Sequence, residues 1–232
     1  MPPPSTETAP LGRPLLLLNL KVYPGSLGPA AERVARYLEE LGRAAGVSVA
    51  IAPATPDLGR VAAAVEIPVL AQHVDPMSPG AHTGFVPAES IAAAGGRGSL
   101  VNHSEHPIRP ALVAAVVTRL GEAGLAAVVC APTPPVARRL ARYGAPYLAI
   151  EPPELIGGDR AVSTARPEVI TETVESVRAV APSTSVLCGA GVHRSADVRR
   201  ALELGARGIL VASAVTRAPS PRAAIEELLA GF

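Results

Sequence analysis

The chain is expected to fold as a single (β/α)8 barrel, and three observations lead to that reading. Short apolar runs alternate with longer amphipathic stretches from about residue 15 to the end, with no linker between them. The apolar runs number eight, and about 27 residues separate each from the next, which suits a closed barrel of roughly 200 to 250 residues. The rival architecture, an open doubly wound sheet, gives no reason for eight units, and no GxGxxG follows the first run.

A Pro-rich segment, Met-Pro-Pro-Pro-Ser-Thr-Glu-Thr-Ala-Pro onward, is expected as a flexible tail over residues 1–14, with the barrel over 15–232. The expected strands are Leu15–Leu20, Val47–Ala52, Pro68–Gln72, Gly98–Asn102, Ala126–Ala131, Tyr147–Glu151, Ser185–Gly189 and Gly208–Ala212. They are apolar throughout, as parallel strands covered on both faces must be. Helical periodicity is clearest at Ala30–Ala45, Pro110–Ala123, Pro134–Tyr143, Pro167–Val180, Ser195–Leu204 and Arg222–Leu229. The links on either side of the third strand are shorter and carry a weaker helix signal.

Composition narrows the function. Of 232 residues 48% are hydrophobic, yet there is no Trp and only 4 Tyr and 2 Phe, so the core is aliphatic and base stacking on nucleic acid is unsupported. A net charge of +1 offers no basic surface to a polyanion, which leaves a small molecule as the expected partner. No apolar run approaches the ~18 residues needed to span a bilayer, and the first residues lack the basic and apolar regions of a signal peptide. Cys130 and Cys188 lie within apolar strands and have no metal-ligand spacing, so they are expected as reduced thiols of a cytoplasmic protein. His73, His82, His106 and His193 show no metal spacing either and read as structural or surface groups.

In such barrels the reactive groups gather where strands end. The first strand ends in Asn19-Leu20-Lys21, whose alternation sends Asn19 and Lys21 the same way, and an inward lysine calls for an anion. The fourth ends in Asn102-His103-Ser104-Glu105, followed by a proline-containing helix start, which places His103 and Ser104 near amides and a positive helix end that keep the imidazole neutral. The sixth ends in Glu151, followed by Pro152-Pro153 and closed by Gly157-Gly158, a rigid start and a permissive end that suit a hinged lid. The seventh and eighth end in Gly189-Ala190-Gly191 and Ala212-Ser213-Ala214, small residues whose amides suit a phosphate. Each feature also has a plainer reading: a turn, a solvated glutamate, a histidine satisfied within a hydrogen-bond network. Their joint arrival at one end of one barrel favours the functional reading.

With these residues in hand, the sequence resembles triosephosphate isomerase, in its short archaeal-type branch, from about Leu15 to Leu229. The segments that carry the resemblance are Asn19-Leu20-Lys21, Gln72-His73-Val74-Asp75-Pro76, Gly80-Ala81-His82-Thr83-Gly84, Asn102-His103-Ser104-Glu105, Ala149 to Gly157, Val186 to Gly191 and Leu210 to Ser213. The resemblance implies a TIM barrel that interconverts glyceraldehyde 3-phosphate and dihydroxyacetone phosphate in glycolysis and gluconeogenesis, and it implies no metal or organic cofactor. It implies Glu151 as the base, neutral His103 as the group that polarises the carbonyl, and Lys21 with Asn19 as stabilisers of the developing oxyanion. Glu105 would accompany the histidine and pair with Lys21, Ile156 and Gly157 would lie in the lid, and Gly191, Ala212 and Ser213 would hold the phosphate. The loop from Asp75 to Gly84, with Thr83, resembles the segment that family members insert into a neighbouring subunit, so a homodimer or homotetramer is implied.

The chain departs from the branch at Gly157-Gly158-Asp159, where Gly-Thr-Gly is usual, at Ala214, where glycine is usual, and at Thr164 and Arg166, where lysines are usual. Asp159 and Ala214 make an isomerase of another small phosphorylated ketose or aldose the first alternative. A non-catalytic metabolite-binding barrel is the second. A Schiff-base aldolase is disfavoured because no lysine ends the sixth strand.

Overall fold

A computed structural model describes residues 11–155 and 161–232. Eight parallel strands run β1 (Leu15–Asn19), β2 (Ser48–Ala52), β3 (Leu70–Ala71), β4 (Gly98–Val101), β5 (Ala126–Ala131), β6 (Tyr147–Ile150), β7 (Ser185–Gly189) and β8 (Gly208–Val211). Their hydrogen-bonded order is β2-β1-β8-β7-β6-β5-β4-β3. The two ends of that order meet through an Ile51–Val69 bridge and an Ile51 N–H that donates to the Pro68 carbonyl at 3.0 Å, which brings the sheet round into a barrel. The expected (β/α)8 TIM-barrel class is the one observed.

The helices are α1 (Pro29–Ala45), α2 (Leu58–Ala62), α3 (Ala88–Ala93), α4 (Pro110–Glu122), α5 (Pro134–Ala141), α6 (Val162–Ala165), α7 (Pro167–Arg178), α8 (Ser195–Glu203), α9 (Ser213–Thr216) and α10 (Pro221–Leu229). Five of the longer ones open on proline at a first-turn position, where the missing N–H costs nothing. The weak helix signal around β3 corresponds to the short α2 and α3. The third strand itself is two residues long where five were expected, because the ladder to β4 pairs only Leu70 with Gly98 and Ala71 with Ser99.

Strand alternation divides the core in two. Leu15, Leu17, Ala50, Leu70, Leu100, Val128, Tyr147, Ala149, Leu187 and Leu210 fill the barrel interior, and Leu16, Leu18, Ile51, Val129, Ile150 and Ile209 face the helices. Leu11 is buried with the interior set, and the Tyr147 hydroxyl donates to the Gly12 carbonyl at 3.4 Å, so the chain is packed against the barrel floor before β1 begins.

A large side chain at every inward position would overfill so narrow a barrel, and Gly98 is one place where none fits. A Cβ there would run into the backbone carbonyl of Ala126 on the neighbouring strand, which cannot swing aside. Gly98→Ala is therefore expected to cost about 1–3 kcal/mol of unfolding free energy, the usual range for overpacking. Gly25→Ala, where a Cβ meets nothing within 4 Å, serves as the control in the same denaturant titration.

Candidate active site

Asn19, Lys21, His103, Glu151, Gly191, Ala212 and Ser213 line one cleft at the C-terminal ends of the strands. Seven of the expected site residues thus come together. Glu105 stands at the rim, 57% exposed at its side chain, and reaches the site through Lys21. Ile156 and Gly157, expected in the lid, lie outside the described residues, as does Asp159.

Glu151 follows β6 directly and points inward with Tyr147 and Ala149, so strand alternation delivers a carboxylate to the mouth of the barrel. It is buried, and its Oε2 has no hydrogen-bond partner among the described residues. A buried and under-bonded carboxylate is costly, and such groups mark sites of chemistry. Its Oε1 lies 3.6 Å from His103 Nε2.

The tautomer of His103 follows from its other nitrogen. The Glu105 backbone N–H donates to His103 Nδ1 at 3.2 Å, so Nδ1 accepts and the single ring proton belongs on Nε2, the nitrogen that faces Glu151. Of the amides and the helix end expected beside the ring, the amide is the one in contact, for helix α4 begins only at Pro110, beyond an intervening turn.

Lys21 is tied down from both ends. Its Nζ donates to Glu105 Oε1 at 2.6 Å, its N–H donates to Asn19 Oδ1 at 3.0 Å, and its carbonyl accepts from Gln72 Nε2 at 3.0 Å. Gln72 Nε2 also reaches the Ala52 carbonyl at 3.0 Å, which links the ends of three strands. Asn102 does the same after β4: its Nδ2 donates to the Cys130 carbonyl and its Oδ1 accepts from the Ile108 N–H, which fixes the turn that carries His103. Among the described residues the non-glycine positions with positive φ are Lys21 (50°), Asn102 (61°) and Ala190 (95°), all just past strand ends at this face of the barrel. Such conformations cost about 1–3 kcal/mol each and persist where the surroundings fix them.

Three supporting residues carry no signal of their role in the sequence. Gln72 reads there only as a strand end. Gly189 lies beneath Glu151: a Cβ there would sit 2.7 Å from Glu151 Cγ, so only glycine lets the carboxylate lie as it does. Cys130 neighbours the same carboxylate, and burial first, then the charge of Glu151 and a hydrogen bond to it, push its thiol well above the ordinary range. Cys188 is pushed up to about 12, by burial and then by Asp197 and Glu151. Both cysteines are free.

Two of the departures from the archaeal branch have a structural account. Ala214 packs against the outer core and does not line the cleft, so its methyl does not narrow it. Arg166 pairs with Glu154 at 2.6 Å in the turn after Glu151 and with Glu168 at 3.4 Å. Among the described residues no group of His, Cys, Asp or Glu side chains is arranged to hold a metal ion.

A barrel that brings a buried carboxylate, an imidazole N–H and an anchored lysine into one cleft has the groups that an acid–base enzyme of the isomerase class uses. The comparisons with known proteins make the class specific. A family model described as Triosephosphate isomerase matches residues 14–228. The triosephosphate isomerase of Methanothermus fervidus is 42% identical over 219 residues, 94% of this chain and 99% of that protein. That of Methanothermobacter thermautotrophicus is 44% identical over 216 residues, 93% of this chain and 94% of that protein. The crystal structure of triosephosphate isomerase from Bartonella henselae superposes with a TM-score of 0.71 at 19% identity, covering 87% of this chain and 92% of that one, which bears on the fold. This chain belongs to the triosephosphate isomerase family.

Proposed function

We propose that the chain interconverts D-glyceraldehyde 3-phosphate and dihydroxyacetone phosphate by proton transfer through an enediolate, as a step of glycolysis and gluconeogenesis. The observation that carries this reading is the 3.6 Å approach of Glu151 Oε1 to a His103 Nε2 that bears the ring proton. Glu151 as carboxylate takes a proton from the carbon beside the carbonyl, the C–H electron pair forms the carbon–carbon double bond, and the carbonyl π pair moves onto oxygen. His103 Nε2–H gives its proton to the oxygen where charge develops, which Lys21 Nζ also meets, and Nε2 then takes the hydroxyl proton on the carbon that gave up its hydrogen, so the charge passes from one enediolate oxygen to the other. The protonated Glu151 then returns its proton to the neighbouring carbon, and the enediolate closes to the other isomer.

Asn19 keeps the Lys21 backbone in its left-handed turn, and Glu105 balances the lysine charge. Gly191, Ala212 and Ser213 are assigned to the substrate phosphate, which suits the loops after β7 and β8. Ile156 and Gly157 are assigned to a lid that excludes water. The reaction as written draws on no cofactor or metal. The catalytic domain is assigned to 15–232 behind the Pro-rich segment 1–14, of which residues from Leu11 on pack against the barrel floor and are not the flexible tail expected there, and the cytoplasm is the expected compartment of its two free thiols. No helix among the described residues is long and apolar enough to cross a membrane.

A coupled assay tests the substrate: wild-type protein with glyceraldehyde 3-phosphate, following dihydroxyacetone phosphate through its NADH-dependent reduction, beside phosphorylated pentoses and hexoses. Preference for the triose at an efficiency near the diffusional range of about 10⁸ M⁻¹s⁻¹ is expected. Preference for a larger sugar would transfer the reading to a specialised isomerase.

We infer that the chain acts as a homodimer or homotetramer through the loop of residues 75–86. Asp75 and Val86 bond each other twice at its neck, by N–H to carbonyl and N–H to carboxylate, both at 2.8 Å. The pinned loop presents exposed Thr83 and a Phe85 that is 51% exposed, close in sequence to a second cleft lined by Lys21, Gln72, His73 and Val86. Thr83→Arg is expected to shift the mass measured by light scattering toward the monomer. An unchanged oligomer would remove this loop from the interface.

A further inference from the structure

At the opposite end of the barrel, where β7 and β8 begin, Arg13, Arg178 and Arg207 line one cleft together with Thr184, Ser185 and Gly205. No carboxylate lines it, and among the described residues none of the three guanidiniums has an acidic partner within ion-pair distance. Arg13 is held in place by donating to the Ser183 carbonyl at 3.1 Å. The Ser185 hydroxyl is buried without a hydrogen-bond partner.

Arg13, Arg178 and Arg207 are exposed and share one small concavity with no carboxylate in its lining, while the chain as a whole carries only +1, so the cleft is a local excess of positive charge that favours an anion. Arg178 also lies in the last turn of α7, where a cation complements the helix dipole. The Ser183 carbonyl takes one nitrogen of Arg13, which leaves the rest of that fork and Arg207 to meet a ligand. Guanidinium forks match phosphate oxygens two at a time.

We propose that this cleft at the floor of the barrel is a second anion site, distinct from the catalytic cleft, for a compact phosphate-bearing ligand with more charge than a single monoester, of the pyrophosphate type. It stands independently of the reaction assigned to the catalytic face. Its ligand lies at the starts of the two strands whose far ends carry the loops assigned to the substrate phosphate.

Pyrophosphate is the probe. Calorimetric titration into wild-type protein is compared with Arg178→Gln/Arg207→Gln and with Arg139→Gln/Arg142→Gln, a pair of exposed arginines on and just after α5 that removes the same charge elsewhere. One binding event is expected to weaken by about a hundredfold in the first variant, at roughly tenfold for each arginine whose charge-assisted hydrogen bonds to the anion are removed. The α5 variant keeps that event, and pyrophosphate raises the melting temperature of wild type and the α5 variant more than that of the floor variant. Equal weakening in both double variants would reduce the effect to net charge and overturn the proposal, and so would an isotherm that the Arg178/Arg207 change leaves untouched. Because any occupancy of the catalytic cleft is common to all three proteins, failure here is separable from failure of the isomerase reading.

Discussion

Replacing Glu151 with glutamine is expected to lower kcat by about three orders of magnitude or more, the upper range for removing a positioned acid–base group. The substitution is nearly isosteric, so folding and substrate binding are expected to survive it. Glu151 is buried, its Oε2 is unpartnered and its Oε1 faces the imidazole, and an amide keeps that shape while losing the basicity. Steady-state kinetics and calorimetric substrate binding on the same preparation separate the two effects: kcat collapses and binding stays within a few fold. A loss of turnover under about tenfold would remove Glu151 from the role of base.

Gly189→Ala is expected to reduce kcat by about a hundredfold without touching any group that takes part in the chemistry. Its methyl would lie 2.7 Å from Glu151 Cγ and 3.2 Å from Cδ, so the carboxylate must shift. A displacement of the reacting group by about 1 Å costs rate on that scale. Unlike Gly98→Ala, which meets backbone, this substitution meets a buried side chain at its Cγ, so the protein is expected to fold with a melting temperature lowered by an overpacking cost of about 1–3 kcal/mol. Gly121→Ala in α4, where a Cβ meets nothing within 4 Å, controls for the loss of a glycine as such. Equal kcat in the Gly189 and Gly121 variants would show that the carboxylate tolerates the crowding and that glycine is not what places it.

What the sequence reveals of the fold divides along physical lines. Strands β5 and β7 fall on their expected bounds, and the others differ by one to three residues, because parallel strands covered on both faces leave continuous apolar runs such as Leu15–Leu18. The long helices are legible from period and from proline at their starts. The four-residue helices α6 and α9 are not, since one turn leaves no periodicity to detect.

Asn19, Lys21, His103 and Glu151 are legible as polar residues closing apolar strands, and they do share a cleft. What escapes is everything that depends on a neighbour distant in the chain. Gln72 acts on Lys21 across 51 positions, and Gly189 matters only because Glu151 lies over it. Of the two features expected beside His103, amides and a helix end, only an amide reaches the ring, because Pro107 suggests a helix start where the chain first makes a turn. The amide responsible belongs to Glu105, two residues from the ring, and only the folded geometry aims it at Nδ1.

Glu151 is assigned to carry a proton between adjacent carbons, and converting dihydroxyacetone phosphate in D₂O, with the product examined by NMR, tests that assignment most directly. Carbon-bound deuterium is predicted at C2 of the glyceraldehyde 3-phosphate formed, because the carboxyl proton exchanges with solvent during the life of the enediolate. Product with protium alone at C2 from wild type, together with undiminished turnover and the same protium in Glu151→Gln, would mean that hydrogen passes directly between the carbons, and the proton-transfer role of Glu151 would be contradicted.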